Sequence, residues 1–267
     1  MIGTKPVRIK KITAGETTWG TDIVVDEAPL SIHINGHRYA TLMCTPAALE
    51  YLVLGYLLSS GVIQEVDDVS GIEVDESSLI AKVSLAVPFF PDAREKTLTT
   101  GCGKGEIYLE VLQFCRYNDT EIVLGALALL SLVSRFNKSS RLFQETGGVH
   151  SGAICSTEEI LLFHEDIGRH NAVDKLTGEA FAKRLNLADK LLLTSGRLSS
   201  EILLKAAKQS IPIIVSRSAP TALAIELAER LNVTLVGFAR GNRMNVYSGA
   251  GRIKESCAGT LTTVRPS

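Results

Sequence analysis

From Leu191 onward the chain repeats one unit: a short apolar run, a turn of small or basic residues, then an amphipathic helical pattern. LLLT is followed by SGR and SSEILLKAAKQS, PIIVS by RSAP and TALAIELAERL, and TLVGF by ARGNR. Strand and helix alternating at this length imply a parallel sheet covered by helices. Ligands of such sheets collect in loops beyond the carboxyl ends of the strands. Three loops qualify: Ser195-Gly196-Arg197, Ser218-Ala219-Pro220 and Ala239-Arg240-Gly241-Asn242-Arg243. Their arginines, with Arg217 beside the second loop, match phosphate oxygens bidentately, so a phosphorylated or nucleotide ligand suits this edge.

The charge balance makes any anion site local. Lys and Arg number 28 against 29 Asp and Glu, a net charge of -1, which gives no general drive toward nucleic acid or an acidic membrane. With 45% hydrophobic and 21% charged residues in 267, the chain can bury a sizeable core, and two domains are preferred to one. The start, MIGTKPVRIKKI, lacks the apolar stretch of a secretory signal, and no apolar run is long enough to span a membrane, so a cytoplasmic location is expected. Cys44, Cys102, Cys115, Cys155 and Cys257 are scattered without paired spacing, which suggests reduced thiols.

The first half reads as strands and hairpins around one helix. LSIHINGHRYATLM alternates about Asn35-Gly36, the signature of a type I′ hairpin. Thr45 and Pro46 predict a helix start, carried by Leu49, Leu52, Val53, Tyr56 and Leu57 and stopped by Gly61. LIAKVSLAV predicts another strand. EIYLEVLQFCRY and EIVLGALALLSLVSRFN carry helical patterns that bridge to a second domain.

Three stretches carry candidate chemistry. In TTGCGKGEI, Gly101, Gly103 and Gly105 open the surroundings of Cys102, while Lys104 and a helix start at Glu106 would stabilise a thiolate; the alternative is a small cysteine in a turn. His150, in GGVHSGAI, is either a base or ligand or a hydrogen-bonded structural residue. In EDIGRHNAVDKL, Glu165, Asp166, Arg169, His170, Asn171 and Asp174 form either part of a site or a salt-bridged turn and helix start.

Together PLSIHINGHRYATLMCTPAALEYLVLGYLLSSGVI, GCGKGE, TGGVHSGAI, EDIGRHNAVDKL and the stretch from SGRLSSEILL to GNRMNVYS resemble the FdhD family of formate dehydrogenase accessory sulfurtransferases, over nearly the whole chain. The resemblance implies a cytoplasmic sulfur carrier that takes sulfur from a cysteine desulfurase. It passes the sulfur to the molybdenum or tungsten bis(molybdopterin guanine dinucleotide) cofactor of formate dehydrogenase. It implies a persulfide on Cys102, cofactor contacts by Phe238, Ala239, Arg240, Gly241, Asn242 and Arg243, and a homodimer. Many members carry a C-x-x-C pair, whereas here Thr99 or Gly105 stands where the second cysteine would be, so a carrier with one thiol is expected.

The implied fold is α/β (α+β overall): a smaller strand-rich domain over 1–115 and, over 116–267, a three-layer α/β domain similar to cytidine deaminases. His150 falls where a deaminase places a zinc ligand, but Ser151-Gly152 follow and no P-C-x-x-C exists, so no zinc is expected. The alternative function is a non-catalytic molybdenum-cofactor chaperone in which Cys102 is incidental.

Overall fold

Asn35 and Gly36 both take positive φ, 49° and 84°, as a type I′ turn requires, and they join two strands of the first half. The computed structural model describes residues 3–89, 115 and 117–255. Its first half runs β1 (Thr4–Thr13), β2 (Glu16–Val25), β3 (Ala28–Ile34), β4 (His37–Cys44), α1 (Leu49–Ser60), β5 (Val69–Asp75) and β6 (Ile80–Leu85). Strands β1 and β2 pair as a separate antiparallel ribbon. The others form a sheet in the order β4-β3-β6-β5, with β3 and β6 parallel. Period-two alternation turns Leu30, Ile32 and Ile34 inward, where they meet Leu52, Val53 and Leu57 of α1 in one core.

The helix departs from its expected start. It begins behind Ala48, which takes φ 52°, and Thr45 makes no cap. Thr45 is bonded to the second half of the chain instead: its backbone N donates to Asp166 Oδ2 at 3.1 Å and its Oγ1 accepts from Ile167 N. Gly61, at φ 75°, ends the helix as expected.

The second half runs β7 (Leu124–Gly125), α2 (Ala126–Ser139), α3 (Arg141–Thr146), β8 (His150–Cys155), β9 (Ile160–Asp166), α4 (Arg169–Ala182), β10 (Leu191–Thr194), α5 (Ser200–Lys208), β11 (Ile213–Ser216), α6 (Ala222–Arg230), β12 (Thr234–Arg240), β13 (Arg243–Ser248) and β14 (Ile253–Lys254). Of EIYLEVLQFCRY only Cys115 and Tyr117 are described, and both lie in irregular chain. The six-stranded sheet has the order β13-β12-β11-β10-β8-β9.

The three strands expected to run parallel, β10, β11 and β12, do so, and β8, β9 and β13 join them antiparallel, which makes the whole sheet mixed. The reason is connection length. Residues 156–159 turn β8 directly into β9, and Gly241 at φ 58° lets β12 fold straight back as β13, leaving no room for a crossover helix. The run expected as a strand-end turn at 239–243 is therefore a hairpin tip, with β12 extended to Arg240.

Alternation also divides this sheet's faces. Leu192, Ile214 and Leu235 pack with α4, α5 and α6, whereas Leu191, Leu193, Ile213 and Val236 pack with α2, giving three layers. No helix among the described residues is long and apolar enough to cross a membrane.

Helices α1 and α4 join the halves nearly backbone to backbone. A Cβ at Gly55 would lie 1.8 Å from Asp174 O, and one at Gly178 would lie 1.9 Å from Tyr51 O. Both obstacles are main chain and cannot rotate away. Gly55→Ala is expected to destabilise the protein by about 3 kcal/mol in urea unfolding, whereas Gly71→Ala, on an open strand face, changes stability by less than about 0.5 kcal/mol.

Candidate functional site

Parallel pairing brings the carboxyl ends of β10, β11 and β12 to one edge of the sheet. Antiparallel pairing adds the start of β8 and the end of β9, because Gly152 lies opposite Thr194 and His150 opposite Asp166. The edge therefore gathers His150, the start of α4 and the loops after three strands.

These loops are fixed by short hydrogen bonds. Ser216 Oγ donates to Gly196 O at 2.6 Å, Leu198 N to Ala219 O at 3.0 Å, and Thr221 N to Leu198 O at 3.0 Å. Phe238 N donates to Ser218 O, with Phe238 held at φ 52°, a left-handed conformation uncommon for a bulky residue. Gly196 permits a close approach, since a Cβ there would sit 2.9 Å from Arg169 Cβ.

Beneath the edge lies a buried ion pair. Lys175 Nζ and Asp166 Oδ2 are 2.7 Å apart, and both side chains are 0% exposed. Lys175 also donates to Thr45 O and Glu165 O, while Asp166 Oδ1 accepts from Gly168 N and Asn171 Nδ2, each at 2.9 Å. Glu165 accepts from Ser140 Oγ and from the first amides of α3. Asp174 accepts from Ser59 Oγ and lies 2.5 Å from Lys205 Nζ. Of the EDIGRHNAVDKL candidates, Glu165, Asp166, Asn171 and Asp174 are thus occupied in holding the fold.

Arg169 and His170 are different. Arg169 Nε, His170 Nε2 and Ser199 Oγ are shut off from solvent without a hydrogen-bond partner. His170 Nε2 lies 3.2 Å from Glu201 Oε2, but in a geometry that makes no hydrogen bond. Burial, helped by Lys205 and Arg169, pushes the His170 pKa down to about 3. His150 is also held below its usual value, by burial first and then by Arg169, Arg217 and Arg197; its Nδ1 is 3.4 Å from Ser195 Oγ. In both rings burial and the surrounding arginines disfavour the charged form.

Arg197, Arg217, Arg240 and Arg243 are exposed. Arg217 lies over the Phe143 ring at 4.9 Å. Arg240 and Arg243 stand directly opposite each other across the β12–β13 pair, an arrangement of like charges that an anion would relieve. Among the described residues, none of Arg169, Arg197, Arg217, Arg240 and Arg243 forms an ion pair. Of the other predicted contact residues, Ala239 is buried, Phe238 half-buried, and Gly241 and Asn242 exposed at the hairpin tip.

Cys102 lies outside the described residues, as does Cys257. Burial pushes the thiols of Cys44 and Cys155 up to about 12 and raises that of Cys115, so these three are poor nucleophiles. No three His, Cys, Asp or Glu side chains converge on a metal-sized space among the described residues. Sequence reasoning missed Ser199, whose signal was its place just before SEILLKAAK, and Lys175, whose signal was only a cation beside Leu176 on a helix that is buried along most of its length.

The model of the FdhD/NarQ family matches residues 25–254. A sulfur carrier protein FdhD of Bacillus subtilis is 42% identical over 246 residues, spanning 90% of this chain and 94% of the relative. One from Listeria monocytogenes serotype 4b is 41% identical over 258 residues, spanning 92% of this chain and 97% of the relative. A crystal structure from Desulfotalea psychrophila, described as a formate dehydrogenase accessory protein, aligns with a TM-score of 0.79 at 28% identity, over 94% of this chain and 99% of that one.

The neutral burial of His170 makes stability depend on pH. Folding depresses its pKa, so below about 6.5 the unfolded chain binds the proton first; stability is complete above that value and declines toward pH 3. In urea unfolding, acidification from pH 7 to pH 5 is expected to cost the wild type about 1–2 kcal/mol more than His170→Asn, which has no ring proton to gain.

Proposed function

Because the chain belongs to the FdhD/NarQ family, we propose that it is a sulfur carrier required for formate dehydrogenase activity. The Cys102 thiolate attacks the terminal sulfur of a cysteine desulfurase persulfide. The desulfurase S–S bond breaks, its thiolate leaves, and Cys102 becomes a persulfide. The Cys102 S–S bond then breaks: the Cys102 thiolate leaves, and the terminal sulfur passes to a reduced molybdenum or tungsten bis(molybdopterin guanine dinucleotide), the acceptor substrate, whose metal supplies the two electrons, before the dehydrogenase receives it. The protein works in the cytoplasm as a homodimer, with desulfurase and dehydrogenase as its protein partners. Its two domains divide near residue 115: one core under the four-stranded sheet and the layers of the six-stranded sheet support that division.

The observation that carries this reading is the convergence of unpaired arginines on one sheet edge. Guanidinium groups and backbone amides at helix starts are the donors a diphosphate requires, and the Phe238–Arg243 hairpin offers two of them face to face. The raised pKa values of Cys44, Cys115 and Cys155 favour a carrier thiol elsewhere in the chain.

A second reading, a chaperone that binds the cofactor without carrying sulfur, draws on the same edge, whose donors are arginines rather than thiols. Intact mass after incubation with desulfurase and cysteine separates the two. The carrier gains the mass of one sulfur atom, and Cys102→Ala gains none and fails to mature the dehydrogenase. A Cys102→Ala variant that supports full maturation establishes the chaperone. Under either reading, Arg240→Ala and Arg243→Ala each weaken guanosine diphosphate binding roughly tenfold in calorimetric titration.

A further inference from the structure

Binding at the sheet edge does not account for the β1–β2 ribbon. Its base is held to the body: Lys5 pairs with Asp26 at 2.7 Å, and a Cβ at Gly148 would lie 2.7 Å from Val25 Cγ1. Beyond the base it stands in water, with Ile12 74% and Trp19 63% exposed. A two-stranded hairpin without a packed face is at best marginally stable alone, so a ribbon of this length calls for a partner.

Its two outer edges are unequal. Asp26 N donates to Gly3 O, so the alternation of an antiparallel ladder turns the backbone groups of Val24, Asp22, Gly20 and Thr18 toward β1, and those of Ile23, Thr21, Trp19 and Thr17 outward. Ile23 N agrees, since it bonds Asp22 Oδ1 at 2.9 Å rather than β1. Strand β1, TKPVRIKKIT, is guarded: Pro6 has no N–H to offer outward, and Lys5, Arg8, Lys10 and Lys11 discourage an incoming strand. Strand β2, ETTWGTDIVV, has no lysine, arginine or proline and is built mostly of β-branched residues. The outward backbone groups of its Thr17, Trp19 and Thr21 have no partner among the described residues.

We infer that β2 is a dimerisation edge: it pairs antiparallel with β2 of a second copy about a two-fold axis at Gly20, joining two ribbons into one four-stranded sheet. This pairing rests on the homodimer proposed above and gives it a surface. Strand β2 is complementary to itself in that register. Trp19 comes opposite Thr21 of the second copy, Thr18 opposite Asp22, and Glu16 opposite Val24. Moving the axis one residue, to Trp19, would set Glu16 against Asp22, and like charges directly opposite repel. With the axis at Gly20, the outward groups of Trp19 and Thr21 bond one another across the seam. The Gly20 pair falls where the strands approach most closely, about 4.5 Å between Cα atoms. A two-fold normal to the sheet keeps Ile12, Trp19 and Ile23 of both copies on one face, with the two Trp19 rings within diagonal reach.

The test is analytical sedimentation of the full chain with proline placed on either edge. Thr21→Pro removes an outward N–H from β2 and Lys10→Pro removes one from β1, each at the kind of position that Pro6 already occupies. The wild type is expected to sediment as a dimer. Thr21→Pro is expected to raise its dissociation constant roughly tenfold or more, and Lys10→Pro to leave it unchanged. Under mild oxidation Gly20→Cys is expected to form a covalent dimer that reduction dissolves and the wild type does not form. A Cβ at Gly20 meets nothing closer than Lys11 Cε at 3.9 Å, so the added side chain fits. A dimer indifferent to Thr21→Pro, one weakened equally by Lys10→Pro, or a Gly20→Cys variant that stays unlinked overturns the β2 edge while the homodimer stands. A chain monomeric at every concentration overturns both. So does a monomer whose Trp19 emission shifts only on adding the desulfurase or the dehydrogenase, which assigns the edge to another protein's strand. Should Thr21→Pro fold poorly, the Gly20→Cys link decides alone.

Discussion

Lys175 and Asp166 meet with no access to water, and nearly everything at the sheet edge is referred to that meeting. Removing two charges from water costs several kcal/mol per ion, which an ion pair recovers only when the remaining donors and acceptors are also met. Here they are. Lys175 reaches Asp166, Thr45 and Glu165, and Asp166 receives amides from Thr45 and Gly168 and the side chain of Asn171. Asn171 also reaches Met43 O. One cluster thus ties the end of β4, the end of β9 and the start of α4. The Gly55 and Gly178 contact ties the same two halves further along the helices.

The consequence is a division of labour within a single charged stretch. Residues that would otherwise compete for the arginines are spoken for: Asp166 by Lys175, Asp174 by Lys205, and Glu165 by Ser140 and the start of α3. Arg169 and His170, on the same helix, are left facing the edge with polar atoms unmet. A chain whose net charge is only -1 thereby concentrates positive charge in one place, beside which burial lowers the pKa of both histidines. Like-charge opposition at Arg240 and Arg243 and the left-handed Phe238 are further local costs that a ligand-binding edge retains.

Much of this was legible in the sequence, where local rules decide the outcome. Asn35-Gly36 set its hairpin turn, Gly61 ended its helix, and the alternation after Leu191 placed three strands and two helices within a residue or two. Errors arose where distant partners decide. Thr45 is drawn from a helix cap to Asp166 and Ile167, contacts more than a hundred residues away. The antiparallel strands β8, β9 and β13 escaped because their pairing is set by strand order across the sheet, which no single run of residues displays. The arginines were legible as residue types. Their convergence with Ser199 and His170 was not, since it depends on strand order. Cys102, on which the sulfur-transfer reading turns, lies outside the described residues.

Urea unfolding of Lys175→Met, with amide exchange followed across α1 and α4, tests the interlock most directly. Leaving Asp166 buried without its cation is expected to remove about 3–5 kcal/mol of stability and to lower protection in both helices together. A variant as stable as the wild type, with α4 protection unchanged while α1 exchanges as before, would contradict the dependence of the edge on this pair.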